Sequence, residues 1–342
     1  MRASRYTTLT ERPANRSDGF VKAVVYTRYG GPDVLHLADV PAPVPGDRDV
    51  LIRVRAAEAT KSDCEFRSFR YSVKWIWLPL RITVGVFRPR RRILGGYFAG
   101  EVVSVGERVT RFAPGHQIYG AAGLHLGAYG EYVVLPASAA LAAKPKNMTF
   151  AEAAAVPLGG LNALHFMRRA TIKAGEHVLI IGAGGSIGAH AVQIARSMGA
   201  RITAVDHGIK EEFVRRLGAD DFVDYTTADV TTMGGRFDVI FDMVPASPFR
   251  RLLGMLQPGG RYLNGNPRLP VLLRSATTPR VTTAFAPETT EDLTTLTAMI
   301  EAGQIRPIVD RVYPMSEAAA AHRRVDTEQR VGAVVLSMDS LD

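Results

Sequence analysis

The chain of 342 residues has one cysteine, Cys64. That excludes an intrachain disulfide and any cysteine-rich zinc site. Only two tryptophans occur, Trp75 and Trp77. The apolar run around them is broken by Lys74, Pro79 and Arg81, so it is not a membrane-spanning helix. The N-terminus has no apolar signal core, which makes a cytoplasmic location the expectation. Residues 1–18 lack periodicity, are rich in Arg, Thr and Ser, and read as a disordered lead-in. Acid is missing from one stretch. Between Phe66 and Gly100 there are eight bases, Arg67, Arg70, Lys74, Arg81, Arg88, Arg90, Arg91 and Arg92, and no Asp or Glu. This segment reads as a solvated insertion with its aromatic side on the core, or as a lid over an apolar substrate. We prefer both to a surface for membrane or nucleic acid. The hydrophobic share of 46% with 22% charged residues is that of a soluble protein with a large core.

What is present is most informative between Val178 and Asp206. The apolar run Val178-Leu-Ile-Ile ends in Gly182-Ala183-Gly184-Gly185-Ser186-Ile187-Gly188. Ile187, Ala191, Ile194, Ala195 and Met198 then recur at helical spacing. A second apolar run, Ile202 to Val205, ends at Asp206. Strand, glycine turn, helix, strand and terminal acid are the dinucleotide-binding pattern. The glycine register that closes is Ala183-x-Gly185-x-x-Gly188, with Gly182 and Gly184 beside it. Glycine lets the backbone approach a pyrophosphate, and a helix N-terminus supplies donors and a positive dipole end. A carboxylate at Asp206 can bind both ribose hydroxyls and repel a 2′-phosphate, which favours NAD(H) over NADP(H). Lys210 and Arg215 nearby could offset that preference. The other reading of Asp206 is a surface cap on the next helix. The same turn also reads as Gly184-x-Ser186-x-Gly188, a nucleophile elbow that Asp242 and His322 could complete as a hydrolase triad. Asp206 and the α/β run after it favour the nucleotide.

Residues 20–140 read as short strands and turns. Val21–Tyr26, Val50–Ala56, Gly100–Val105 and Gly130–Leu135 are strand-like, punctuated by Gly30-Gly31-Pro32 and Pro114-Gly115. From Ala151 helix and strand alternate, which implies a parallel sheet covered on both faces. Strands are expected at Phe237–Phe241, Arg261–Leu263 and Val281–Phe285, and helices at Ile209–Leu217, Pro248–Leu256 and Glu291–Ala302. After Gly303 strands return at Ile308–Val312 and Ala333–Leu336, so the tail is expected to rejoin the first domain.

The segments Lys22-Ala-Val-Val-Tyr, Gly30-Gly-Pro-Asp-Val-Leu, Leu94-Gly-Gly-Tyr-Phe-Ala-Gly-Glu-Val-Val-Ser-Val-Gly, Val109-Thr-Arg-Phe-Ala-Pro-Gly-His-Gln-Ile-Tyr-Gly, Ala153-Ala-Ala-Val-Pro and Arg306-Pro-Ile-Val-Asp-Arg-Val-Tyr-Pro occur in that order. With the glycine turn, they make the chain resemble the medium-chain dehydrogenase/reductase superfamily from about Val21 to Met338. The resemblance implies an α/β chain with a GroES-like β-barrel catalytic domain (19–145 and 306–342) and a Rossmann doubly wound parallel-sheet domain (146–305). It also implies a homodimer. Zinc-dependent members hold zinc where this chain has Thr60, Gly96 and about Leu158, none a competent ligand. The resemblance therefore narrows to the zinc-independent quinone oxidoreductases, enoyl reductases and alkenal reductases.

It also implies roles for particular residues. Lys61 stands where relatives place a basic pyrophosphate contact, and Ser62 where they place a proton-relay hydroxyl. Lys61 could equally polarise the acceptor oxygen or be a solvated loop lysine. Ser62, Tyr71 and Tyr97 are candidate donors, with packing as the alternative for the tyrosines. Asn162 stands where the family contacts the nicotinamide ribose or amide; otherwise it caps a helix entry. Asp63 and Cys64 read as structural. Without zinc, hydride transfer from NAD(P)H is easiest to an acceptor that spreads the developing charge itself, a quinone, enone or alkenal. A non-catalytic nucleotide-binding protein working through residues 66–92 is the alternative, and the intact glycine turn speaks against it.

Overall fold

The structure is a computed structural model and describes residues 19–71, 82, 84–266 and 268–339. The proposed lead-in and the two tryptophans lie outside the described residues. Strands β1 (Phe20–Val25) and β2 (His36–Pro41) form an antiparallel ribbon around the Gly30-Gly31-Pro32 turn. The hub of the first domain is β3 (Asp49–Ala59), which pairs with both β4 (Tyr97–Val105) and β6 (Tyr132–Pro136). Strands β5 (Gln117–Ala121) and β7 (Leu141–Ala143) extend the sheet beyond β4. The barrel core gathers Tyr26, Ile52, Leu94, Phe98, Ile118 and Leu135.

One irregularity in β3 matters for the site. Val50, Ile52 and Val54 face the barrel core. The register against β4 shifts between Val54 and Ala56. An extra residue in a strand reverses which side chains face in. Beyond the shift Ala57 and Ala59 take the core side, while Ala56 packs with the second domain. Glu58, in phase with Ala56, is thereby sent toward the second domain and is 2% exposed. Helix α1 (Lys61–Ser68) follows directly. Its start is written as Thr60-x-x-Asp63: Asp63 N donates to Thr60 Oγ1 at 3.0 Å and Thr60 N to Asp63 Oδ2 at 3.0 Å.

The second domain opens with α2 (Phe150–Ala154) and α3 (Pro157–Ala170). It continues through β8 (His177–Ile181), α4 (Ser186–Ser197), β9 (Arg201–Asp206), α5 (Glu211–Arg216) and β10 (Asp221–Asp224). Its second half runs β11 (Phe237–Asp242), α6 (Phe249–Gly254), β12 (Leu256–Asn264), α7 (Leu269–Thr277), β13 (Val281–Thr283) and α8 (Thr290–Glu301). All six strands are parallel, in the order β10-β9-β8-β11-β12-β13. Val178 and Ile180 enter one core and Leu179 and Ile181 the other, as a sheet covered on both faces requires. The order reverses between β8 and β11, so a crevice opens at their C-terminal ends.

The tail supplies β14 (Val309–Pro314), α9 (Ala318–Asp326) and β15 (Ala333–Ser337). β15 pairs antiparallel with β3, placing Val335 opposite Glu58, so the chain does rejoin the barrel sheet. Two expected helices are shorter than their patterns. Ile209–Leu217 begins as a 3-10 turn, Gly208–Lys210. Pro248–Leu256 stops at Gly254, because Leu256 starts a strand that continues through Pro258. Arg67 from the basic stretch is buried, whereas Arg88, Arg90, Arg91 and Arg92 are exposed. Among the described residues no helix is long and apolar enough to cross a membrane.

Candidate dinucleotide and acceptor site

The glycine turn sits at the crevice. Gly182 takes φ +83, a conformation that favours glycine, and its Cβ position would lie 3.2 Å from Val244 beyond β11. A Cβ on Gly188 would come within 2.1 Å of Gly182 O, so α4 reaches its strand only through a glycine. Gly185 is different. Its φ is −83 and a Cβ there would meet nothing nearer than Gly182 O at 3.7 Å. That open face, and a helix N-terminus with no side-chain cap, leave the first-turn N–H groups of Ser186, Ile187 and Gly188 for an anion.

Asp206 ends β9 but is no surface cap. It is 6% exposed, accepts from Gly184 N at 2.7 Å and His207 N at 2.8 Å, and pairs with Lys210 Nζ at 2.9 Å. Lys210 is itself 4% exposed and also donates to Glu328 O at 3.0 Å. Asp206 and Lys210 therefore form one nearly neutral unit. Arg215 is engaged elsewhere, with Glu211 at 2.8 Å and Asp220 O at 3.0 Å. The segment before β15 roofs the turn: Gly332 N donates to Gly184 O at 2.9 Å. Glu328, at φ +59, binds Lys61 Nζ through its carboxylate. Lys61 is thus tied to the roof segment, with its side chain still 42% exposed.

Ser62 is exposed on the first turn of α1. Tyr71 packs edge-on against Phe66 and Phe69, with centroids 5.8 and 5.1 Å away. Tyr97 starts β4 and donates its hydroxyl to Glu288 Oε1 at 2.8 Å. Glu288 comes from the loop before α8, so this bond links β4 of the barrel to the second domain. Burial, then the nearby Glu288 carboxylate, raises Tyr97 well above an ordinary phenol, and it keeps its proton. Asn162 is inside α3, not at its entry, and donates to Leu158 O at 2.9 Å; the cap reading is corrected.

The sequence reasoning passed over Glu58, Glu288 and Glu328. Glu58 is a buried acid facing Ser186, and burial pushes its carboxyl up to about 8, held back by Ser186 and Arg330. Glu58 Oε2 and Ser186 Oγ lie close but fall short of full hydrogen-bond geometry, and neither has another partner among the described residues. His190, one turn along α4, bonds Ser186 O through Nδ1 at 2.8 Å, and burial keeps it neutral. Its Nε2 is unpartnered among the described residues.

The hydrolase triad does not assemble. Asp242 is bound to Tyr262, Ser247 and Val244 N at 2.5, 2.7 and 2.9 Å. His322 lies in the barrel, with Arg67 at 3.1 Å, Tyr129 at 3.0 Å and Cys64 Sγ at 3.4 Å. Since arginine only donates, His322 Nδ1 accepts and Nε2–H donates to Tyr129. Burial raises the Cys64 thiol, so it is no thiolate. The zinc positions do not fit a metal either. The Thr60 hydroxyl is spent on Asp63 at 2.6 Å, Gly96 has no side chain and Leu158 no donor atom. Among the described residues no three His, Cys, Asp or Glu side chains are grouped to hold an ion.

Comparison with known proteins gives the same outline. A family model described as alcohol dehydrogenase GroES-like domain matches residues 46–146, and one described as zinc-binding dehydrogenase matches 217–336. A quinone oxidoreductase from Pseudomonas aeruginosa is 31% identical over 337 residues, covering 92% of this chain and 99% of the relative. An NADPH-dependent alkenal/one oxidoreductase from Arabidopsis thaliana is 29% identical over 328 residues, covering 92% and 79%. The solved quinone oxidoreductase from Coxiella burnetii superposes with a TM-score of 0.84 at 25% identity, covering 94% of this chain and all of that one.

Proposed function

The chain belongs to the medium-chain dehydrogenase/reductase superfamily, in the branch of the quinone and enoyl reductases, and on that premise we propose that it reduces a conjugated carbonyl acceptor with NAD(P)H and without zinc. The observation that carries the reading is a pairing. The glycine turn leaves room for a dinucleotide, while none of Thr60, Gly96 and Leu158, where the resemblance places zinc, is a competent zinc ligand. When bound, the dihydronicotinamide supplies a hydride. With no Lewis acid beside it, a saturated carbonyl would have to carry an alkoxide charge unaided. A quinone, enone or alkenal delocalises that charge, so the protein need only orient the reactants, exclude water and supply a proton.

The residues divide that work. The N–H groups of Ser186, Ile187 and Gly188 bind the pyrophosphate, with Lys61 flanking it. Asp206 receives the adenosine ribose, and Asn162 the nicotinamide ribose or amide. Among the candidate donors Tyr97 is better placed than Tyr71 or Ser62. It keeps its proton and is held by Glu288, whereas Tyr71 is packed on two phenylalanines. Asp206 favours NADH, and its pairing with Lys210 makes the preference modest.

The test is turnover with NADH and NADPH deuterated at C4, against a quinone, an alkenal and a saturated aldehyde. We expect oxidation of the cofactor only with the conjugated acceptors, deuterium at the alkenal β-carbon, NADH faster than NADPH, and no loss on chelation. Equal turnover of the saturated aldehyde, or activity lost to a chelator and restored by zinc, would overturn the proposal.

A further inference from the structure

A carboxylate buried behind a phosphate site should weaken it, yet Glu58 stands there. It faces the first residue of α4, opposite Val335 of β15, and is 2% exposed. Ser186 is 5% exposed and is the first residue of α4, whose N-terminus has no side-chain cap. Both Glu58 Oε2 and Ser186 Oγ lack partners among the described residues, and buried polar atoms are costly to leave so. The other charged or titratable groups acting on Glu58 come from each element around it. They are Arg330 in the roof segment, Asp63 in α1, Tyr97 in β4 and Tyr129 before β6. Asp63 already accepts three hydrogen bonds, and Arg330 donates to Val325 O at 3.1 Å.

We propose that Glu58 is a positioning residue for the dinucleotide: its carboxylic acid donates to Ser186 Oγ, and the Ser186 hydroxyl in turn donates to the pyrophosphate on α4. This rests on the glycine turn being the dinucleotide site. A hydroxyl has one proton to give. When the carboxyl is neutral, Ser186 receives from Glu58 and gives to phosphate. When the carboxyl is ionised, Ser186 turns its proton to Glu58 and presents lone pairs to an anion, and a second negative charge lies behind them. The elevated titration of Glu58 keeps the favourable arrangement in force at neutral pH. His190, neutral and fixed to Ser186 O, adds no opposing charge.

The experiment is the dissociation constant of NADH and of NADPH, read by nicotinamide fluorescence on the whole chain, from about pH 6.5 to about 9.5. NADH is the cleaner probe, because the 2′-phosphate of NADPH titrates at about pH 6. Wild type should weaken with rising pH by up to about tenfold per unit once Glu58 ionises. Glu58→Gln keeps a donor but cannot ionise, so it should hold one affinity across the range, about twofold to fivefold below wild type at neutral pH. Ser186→Ala should lose about fivefold at neutral pH and most of the slope. A flat wild-type profile overturns the inference, and so does a Glu58→Gln variant with the wild-type slope. Should that variant not fold, an undiminished slope in Ser186→Ala overturns it instead. Wild type that binds neither cofactor at neutral pH defeats the site reading and this inference together, whereas binding without the slope defeats the inference alone.

Discussion

Two buried polar clusters adjoin the end of β3, and they differ in how completely their atoms are used. Around His322 the imidazole has partners at both nitrogens, Arg67 also reaches Asp326 at 3.0 Å and Gly30 O at 3.2 Å, and Asp63 accepts from Thr60 and from Gly95 N at 3.0 Å. On the other side, Glu58, Ser186 and His190 each keep a buried polar atom without a partner among the described residues. A satisfied network holds elements together; one left open at a helix N-terminus still has polar atoms to offer a ligand. Residue types alone suggest the reverse, since Cys64 beside His322 looks more like chemistry than Glu58 beside Ser186.

The sharpest way to break the comparison is Arg67→Met. It removes the partner of a buried histidine and of Asp326, so the protein should lose about 3 kcal/mol of stability. Its dinucleotide affinity should stay within about twofold of wild type. Denaturant melts and cofactor titration read the two effects separately, and a variant that folds normally but no longer binds would place the His322 cluster in the site.

A smaller effect is expected from the stability of Glu58→Gln as pH changes. The folded Glu58 carboxyl titrates at about 8 against an ordinary 4.5, so the folded chain holds the proton more tightly than the unfolded one. Its contribution is complete below the unfolded value and is lost as pH rises through the folded one. Glu58→Gln lacks that loss. Its melting temperature should gain on wild type by a few degrees between about pH 5 and about pH 8, then run parallel. Parallel curves throughout would show that Glu58 is not held neutral by the fold.

The parts legible in the sequence were those with a local period. The strand, the glycine turn, the helix at 3.6 spacing and the acid ending β9 are all set by neighbours within about thirty residues. Lys210 was read as a cation near the ribose, but its burial against Asp206 depends on the roof segment some hundred residues later. Glu58 sits in Ala56-Ala57-Glu58-Ala59, an acid in an apolar strand, which was a signal. Its direction was not legible, because the register shift at Val54 reverses the alternation that would be read from the sequence. Tyr97 meets Glu288 only through the packing of two domains 191 positions apart in sequence, which no window reveals.

The central claim, that the open cluster at the glycine turn is where the dinucleotide sits, is tested most directly by Gly185→Val. The backbone there suits any residue and a Cβ has room, so the folded protein should melt within about a degree or two of wild type. The branched side chain would stand where a pyrophosphate must approach. NADH and NADPH should therefore bind at least about a hundredfold more weakly by nicotinamide fluorescence. A folded Gly185→Val protein that binds either cofactor with wild-type affinity would contradict the account.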